Sequence, residues 1–374
     1  MRFGMNWIKI LFINALVLFA LFGALFLSPP AVFYVKNSFV YLFGGEHVHE
    51  IGKSAFHIYD DFNWAEKHFN ELNAVHASYH DYVVWKRSDF SGETISVRDG
   101  FRRTIPSLND TFGDEYWFFG GSTTWGSGVD DANTYPSLVA AKFNVKVRNF
   151  GEPGYIARQS LASLTNEILL SKKSNDRVTV VFYDGVNDVL FRCALGMSDL
   201  GTSSENIIRN RTGELEAEEV LSYEKTFHQI VYMMRKINEK LAPDVKDKKE
   251  LYVCHNNPER AKKIAETLVL TWKQAKNLAE ANNMSFLAVL QPVAYWGNPN
   301  IDYLNLTHAD DVLLKKQYEA IYPLIIEEVK KHGIDFLDLT SLYDGCDDCY
   351  IDFCHVGPQA HHRLATALGE TLRL

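Results

Sequence analysis

The chain has 374 residues, and with 47% apolar residues, 24 Phe, 18 Tyr and 7 Trp it can bury a core of one large domain or two modest ones. Its formal net charge of -9 argues against nucleic acid as a partner. No internal repeat or low-complexity tract runs through it.

In chain order, Arg2 and Lys9 precede a charge-free run whose apolar part, Ile10 to Leu27, is about long enough to cross a bilayer as a helix. Pro29 and Pro30 end it. The expectation is an N-terminal membrane anchor over residues 1–35, with a cleaved signal peptide as the rival reading. The basic flank places the N-terminus in the cytoplasm and the rest of the chain outside it, periplasmic or at the cell surface. Residues 36–110 are mixed and aromatic without a long period, and read as a membrane-proximal stalk or N-terminal extension.

After Asp110 the pattern becomes rhythmic. Strands are expected at 115–121, 145–151, 177–185, 285–293 and 334–340, with helices between them at 134–143, 158–172, 258–283 and 315–333. Near-continuous apolar strands alternating with helices predict an α/β fold with a parallel sheet covered on both faces, binding its ligand at the carboxyl ends of the strands. Residues 190–257 break the rhythm and read as a charged insertion above the sheet.

The five cysteines are Cys193, Cys254, Cys346, Cys349 and Cys354, an odd number. Cys193 and Cys254 flank the insertion, so a disulfide would close it. A bond from Cys354 to Cys346 or Cys349 would brace the C-terminal loop. A zinc site from Cys346, Cys349 and Cys354 with His355, His361 and His362 is the competing use, but the second C-x-x-C of a finger is missing.

Three strand ends carry small polar residues where apolar ones are expected. "FFGGSTTWGSG" ends the first; it lacks the lysine of a phosphate-binding loop, which leaves Ser122 as a nucleophile exposed on a tight turn. "NFGEPGY" (149–155) and "YDGVND" (183–188) end the second and third and offer the Gly N–H and Asn amide that an oxyanion hole needs. Asp352 and His355, three apart in "DFCH", have the spacing for a carboxylate to orient an imidazole base on a tight turn. Trp125 is a candidate for the acyl pocket, with core packing as the simpler reading, and Arg158 a candidate substrate contact. Asp188 is expected to cap the helix that follows it.

These four segments, in this order, resemble the four signature blocks of the SGNH hydrolases, or GDSL esterase/lipase family. "GGSTTWG" matches the nucleophile block at Ser122, "NFGEPG" the second block at Gly154, "DGVND" the third at Asn187, and "DFCH" the final block at Asp352 and His355. The resemblance covers about residues 114–374 and not the extension before them. It implies a three-layer, flavodoxin-like α/β/α fold with about five parallel strands. It implies catalysis by Ser122, His355 and Asp352, with an oxyanion hole from the Ser122 and Gly154 N–H groups and the Asn187 amide, and no metal or organic cofactor. One position departs: the family's Gly-Asp-Ser is Gly120-Gly121-Ser122 here. The variant is similar to extracytoplasmic branches associated with bacterial surface polysaccharides. The function expected is therefore an esterase removing acetyl or similar groups from a surface carbohydrate. An O-acyltransferase using the same groups, or a non-catalytic carbohydrate-binding protein, are the alternatives.

Overall fold

The computed structural model describes residues 53–107, 113–170, 177–194, 197, 200–202 and 252–374. The apolar run at 10–27 and most of the 190–257 insertion lie outside the described residues. Among the described residues no helix is long and apolar enough to cross a membrane.

The chain opens with a 3-10 segment, Lys53–Tyr59, and helix α1 (Ala65–Ala74). A two-stranded hairpin follows, β1 (Ala77–His80) with β2 (Val84–Arg87), then three short strands, β3 (Phe90–Ser91), β4 (Ser96–Arg98) and β5 (Phe101–Arg102). The rhythmic region begins with β6 (Glu115–Gly120) and a single turn of helix, α2 (Ser122–Trp125). It continues through α3 (Tyr135–Phe143), β7 (Lys146–Asn149), α4 (Ala157–Leu170), β8 (Val178–Asp184) and α5 (Val186–Arg192). Beyond the insertion come α6 (Pro258–Ala281), β9 (Ser285–Leu290), α7 (Ala309–Val329), β10 (Phe336–Asp338) and α8 (Pro358–Leu372). All the described residues belong to one unit, Glu50–Glu205 with Glu250–Leu374.

The main sheet has eight strands in the order β10-β9-β8-β6-β7-β5-β4-β3. The five from β10 to β7 are parallel, and β5, β4 and β3 extend the sheet antiparallel beyond β7. Numbered within the parallel part alone, the order is 2-1-3-4-5, a doubly wound arrangement whose switch point lies between β6 and β8. The sheet is thus mixed where a purely parallel one was expected. Residues 90–102, read as part of a stalk, supply the antiparallel strands.

Side-chain alternation explains why both faces are covered. Trp117 and Phe119 of β6, Val180 and Phe182 of β8 and Phe286 and Ala288 of β9 face a core shared with α4, α6 and α7. Tyr116 and Phe118, Val181 and Tyr183, and Leu287 and Val289 face the other side, against α3 and α8. A strand buried on both faces reads as a near-continuous apolar run, and β6 is buried along its whole length, its one acid, Glu115, accepting from the Trp117 indole and the Arg148 guanidinium. The helices begin where the sequence supplies caps. Thr134 accepts from Ser137 N–H at the start of α3, and Asn257 accepts from Arg260 N–H before Pro258 of α6.

The N-terminal residues are tied to the turn after β6. The His68 ring donates to Ser127 O at 3.0 Å and the Tyr59 hydroxyl to Gly128 O at 2.8 Å. Arg102, from β5, is fully buried there. Its guanidinium pairs with Asp131 at 2.9 Å and donates to the carbonyls of Thr94, Trp125, Gly126 and Val129. A buried cation is tolerable only when its donors are used, and these acceptors come from both sides of the turn that carries Ser122.

Candidate active site

Strand β6 ends at the switch point, and the chain must turn at once. Gly120 has φ +155°, and a Cβ there would collide with Tyr183 O and Thr124 Oγ1. Only glycine fits. Helix α2 then begins at Ser122, whose N–H, as the first of a helix, has no intrahelical carbonyl to bind.

The partner loop is a small hairpin between β10 and α8. Tyr350 and Val356 form an isolated antiparallel bridge, and Ile351 N–H donates to His355 O at 2.9 Å. Inside it, Asp352 Oδ1 accepts the N–H groups of Cys354 (2.8 Å) and His355 (2.7 Å). Asp352 Oδ2 lies 2.5 Å from His355 Nδ1, and His355 Nε2 lies 2.7 Å from Ser122 Oγ. Burial would raise the Asp352 pKa, but the His355 charge and hydrogen bond and the two N–H donors outweigh it and hold the carboxyl well below its usual range. Burial works to lower the His355 pKa, and the Asp352 carboxylate overrides it, so the imidazole is a stronger base than usual.

The elbow and the histidine loop are pinned to each other. Gln291, at the end of β9, donates to Thr123 Oγ1 at 3.0 Å and Cys354 O at 3.5 Å, while its own carbonyl accepts from the Tyr322 hydroxyl. The one sequence signal for this residue is a Gln closing the apolar run "SFLAVLQ".

The third segment approaches from β8. Asn187 Nδ2 donates one hydrogen to Tyr155 O at 2.8 Å, which leaves the other for a ligand. The same nitrogen would lie 2.5 Å from a Cβ built on Gly121. The absence of a side chain at Gly121 therefore leaves room for the Asn187 amide to lie against the elbow. Gly154 sits in the adjoining loop with φ +82°.

The other expected residues fall elsewhere. Trp125 is fully buried with Val75, Ile95 and Val97, its ring 4.4 Å beneath the Arg102 guanidinium, so it belongs to the core and lines no acyl pocket. Arg158 is exposed and donates to Leu200 O at 2.7 Å. Asp188 lies in the first turn of α5, where its carboxylate accepts its own N–H, and it also caps α4: Oδ2 accepts Ala157 N–H at 3.1 Å, and Oδ1 pairs with Arg192 at 2.9 Å.

Cys193 and Cys254 form the expected disulfide. The C-terminal pairing differs: Cys346 bonds Cys349, and Cys354 is a buried thiol 3.6 Å from His355 Nδ1. Cys346 and Cys349 lie in one apolar cluster and Cys354 in another, which fixes the choice. The zinc reading fails with it, since two of its thiols are consumed and the His361 ring accepts Tyr135 N–H at 3.0 Å. Among the described residues Asp352, Cys354 and His355 bring three ligand atoms together, and two of these residues are the relay itself.

No protein-family model matches the chain, and no curated protein matches it. Solved structures do. A member of the lipolytic G-D-S-L family from Veillonella parvula is 14% identical with a TM-score of 0.38, covering 70% of this chain and 100% of its own. A G-D-S-L protein from Desulfitobacterium hafniense, titled a putative lipolytic protein, is 11% identical with a TM-score of 0.38, covering 69% and 99%. A catalytic mutant of an acetylxylan esterase from Geobacillus stearothermophilus is 12% identical with a TM-score of 0.37, covering 70% and 95%.

Proposed function

We propose that the protein is a serine ester hydrolase acting on O-acyl groups, with acetyl esters of a carbohydrate as the substrate class. The observation that carries the reading is the unbroken relay from Ser122 Oγ through His355 to Asp352, at 2.7 and 2.5 Å, on a strand-end elbow at the switch point of the sheet. Ser122 Oγ attacks the ester carbonyl as its proton passes to His355 Nε2. Asp352 accepts the Nδ1 hydrogen and stabilises the imidazolium. The N–H groups of Ser122 and Gly154 and the free hydrogen of Asn187 receive the oxyanion. His355 returns the proton to the leaving alcohol, and water, activated by the same imidazole, releases the acid from Ser122.

Two disulfides, Cys193–Cys254 and Cys346–Cys349, favour an oxidising compartment and so an extracytoplasmic location. Attachment by the apolar N-terminal run belongs to the same proposal. Hydrolysis of p-nitrophenyl acetate by the full chain, beside Ser122→Ala, tests the function. Activity that disappears in the variant supports it, and equal rates in the two proteins, or none in either, refute it.

A further inference from the structure

The β1–β2 hairpin lies outside the segments that resemble a known family, yet it touches the loop after β7 at every residue from 152 to 155. Glu152 Oε2 accepts the Arg87 N–H at 3.0 Å, and Oε1 lies 3.5 Å from the Arg87 guanidinium. Pro153 O accepts the Trp85 indole N–H at 3.1 Å. The Trp85 ring closes over Gly154, with Cζ2 3.3 Å from where a Cβ would stand. The Tyr155 hydroxyl donates to Trp85 O at 2.5 Å, and the two rings meet edge to face. One turn on, Gln159 Nε2 donates to Val83 O at 2.8 Å.

The grip passes directly to the candidate oxyanion groups. Gly154 lies inside the clasped stretch. The carbonyl that orients the Asn187 amide belongs to Tyr155. Glu152 N–H donates to Gly120 O at 3.0 Å, at the root of the elbow. The hairpin is itself anchored from its other side, where Lys86 stands 3.8 Å over the Phe101 ring and pairs with Glu167.

Packing alone does not account for Glu152. Its side chain is 3% exposed, and burying an ion costs more than an apolar side chain would unless its direction is useful. We propose that the hairpin is a clamp on the oxyanion hole, in which Trp85, Glu152 and Tyr155 are positioning residues that set the Gly154 N–H and the Asn187 amide. The proposal rests on the esterase reading for its catalytic consequence but not for the clamp itself. Burial raises the Glu152 pKa to about 7 against the opposing pull of Arg87 and Lys86, the charged groups that face it. Acidification through neutrality therefore discharges one half of the clamp.

The test uses the full chain with Trp85→Phe, which removes the indole N–H and keeps a ring, and Glu152→Gln, which removes the charge and keeps the shape. Tyr82→Ser, on the exposed hairpin turn, is the control. Amide hydrogen exchange is followed in peptides covering 150–157 and 178–184, and kcat and KM are measured on p-nitrophenyl acetate. The clamp predicts faster exchange at 150–157 alone in both variants, with kcat down roughly 10-fold and KM within about twofold of wild type, as expected when a group acting in the transition state is misplaced. It also predicts that the acid limb of kcat, steeper than one proton in wild type, becomes a one-proton limb in Glu152→Gln. Exchange unchanged at 150–157, or raised equally at 178–184, overturns the clamp. Local loosening with unchanged kcat overturns its positioning role. Absence of Ser122-dependent activity in wild type defeats the esterase reading, and the exchange data then still decide whether the hairpin holds the loop.

Discussion

Gly121→Ala isolates the contact between the elbow and the Asn187 amide. The backbone at Gly121 has φ -85° and ψ -150°, extended values open to alanine, so the substitution carries no backbone strain. Its Cβ would stand 2.5 Å from Asn187 Nδ2, where ordinary contact begins at 3.4 Å, so the amide must retreat by about 1 Å. That retreat stretches the hydrogen bond to Tyr155 O and withdraws the second N–H from the oxyanion. Loss of one such donor costs about 3–4 kcal/mol in the transition state, on the order of 10²- to 10³-fold in kcat. Steady-state hydrolysis of p-nitrophenyl acetate measures the effect, with thermal unfolding to show that the fold persists. Asn187→Ala should lose a similar factor, and the double variant little more than either alone, because both remove one donor. A kcat for Gly121→Ala within threefold of wild type, or losses that multiply in the double variant, would refute the reasoning.

Asp352→Asn should lower kcat by roughly 10⁴-fold, since Nδ1 loses its acceptor and the tautomer its orientation. The pH profile follows from the sign of the His355 shift. The base must be neutral and its pKa lies above the ordinary 6.5, so activity should fall away on acidification with a midpoint above pH 6.5. His361 is buried with its pKa pushed down to about 3, by burial first and Arg102 second. Its stabilising contribution is complete above pH 6.5 and is lost as pH falls toward 3. His361→Gln keeps an acceptor for Tyr135 N–H, so between pH 7.5 and 5 its stability should improve relative to wild type by about 2 kcal/mol, read from denaturant unfolding. The Cys193–Cys254 bond spans 61 positions, and loop-closure entropy values it at about 4 kcal/mol. Replacing both cysteines with serine should lower the unfolding midpoint accordingly, while a change below 1 kcal/mol would mean that the closed loop is already constrained.

The parts of the site legible in the sequence are those whose chemistry is local. Gly120 precedes Ser122 by two residues because the strand must turn there, and Asp352 lies three before His355 because the loop bonds are made within it. The strands were legible because burial on both faces leaves β6 a run of apolar residues from Tyr116 to Phe119. What stayed hidden is held over long separations. Arg102 gathers acceptors from residues 94 to 131, and Trp85 meets Pro153 across 68 positions, without periodicity or motif to announce either. Strands of two residues, such as β5, are below the length at which alternation can be seen. For Trp125 the simpler reading, core packing, is the one the structure bears out. The cysteine pairing turned on which apolar cluster each thiol faces, a tertiary property that spacing does not carry.

The account stands or falls on Ser122 as a nucleophile activated by His355. The direct measurement is labelling of the full chain with a fluorophosphonate, followed by peptide mass spectrometry, beside Ser122→Ala and His355→Ala. The account predicts one phosphonyl group per chain, on Ser122, formed far more slowly in His355→Ala and absent from Ser122→Ala. Labelling at another residue, or no labelling of a folded wild-type chain, would contradict it.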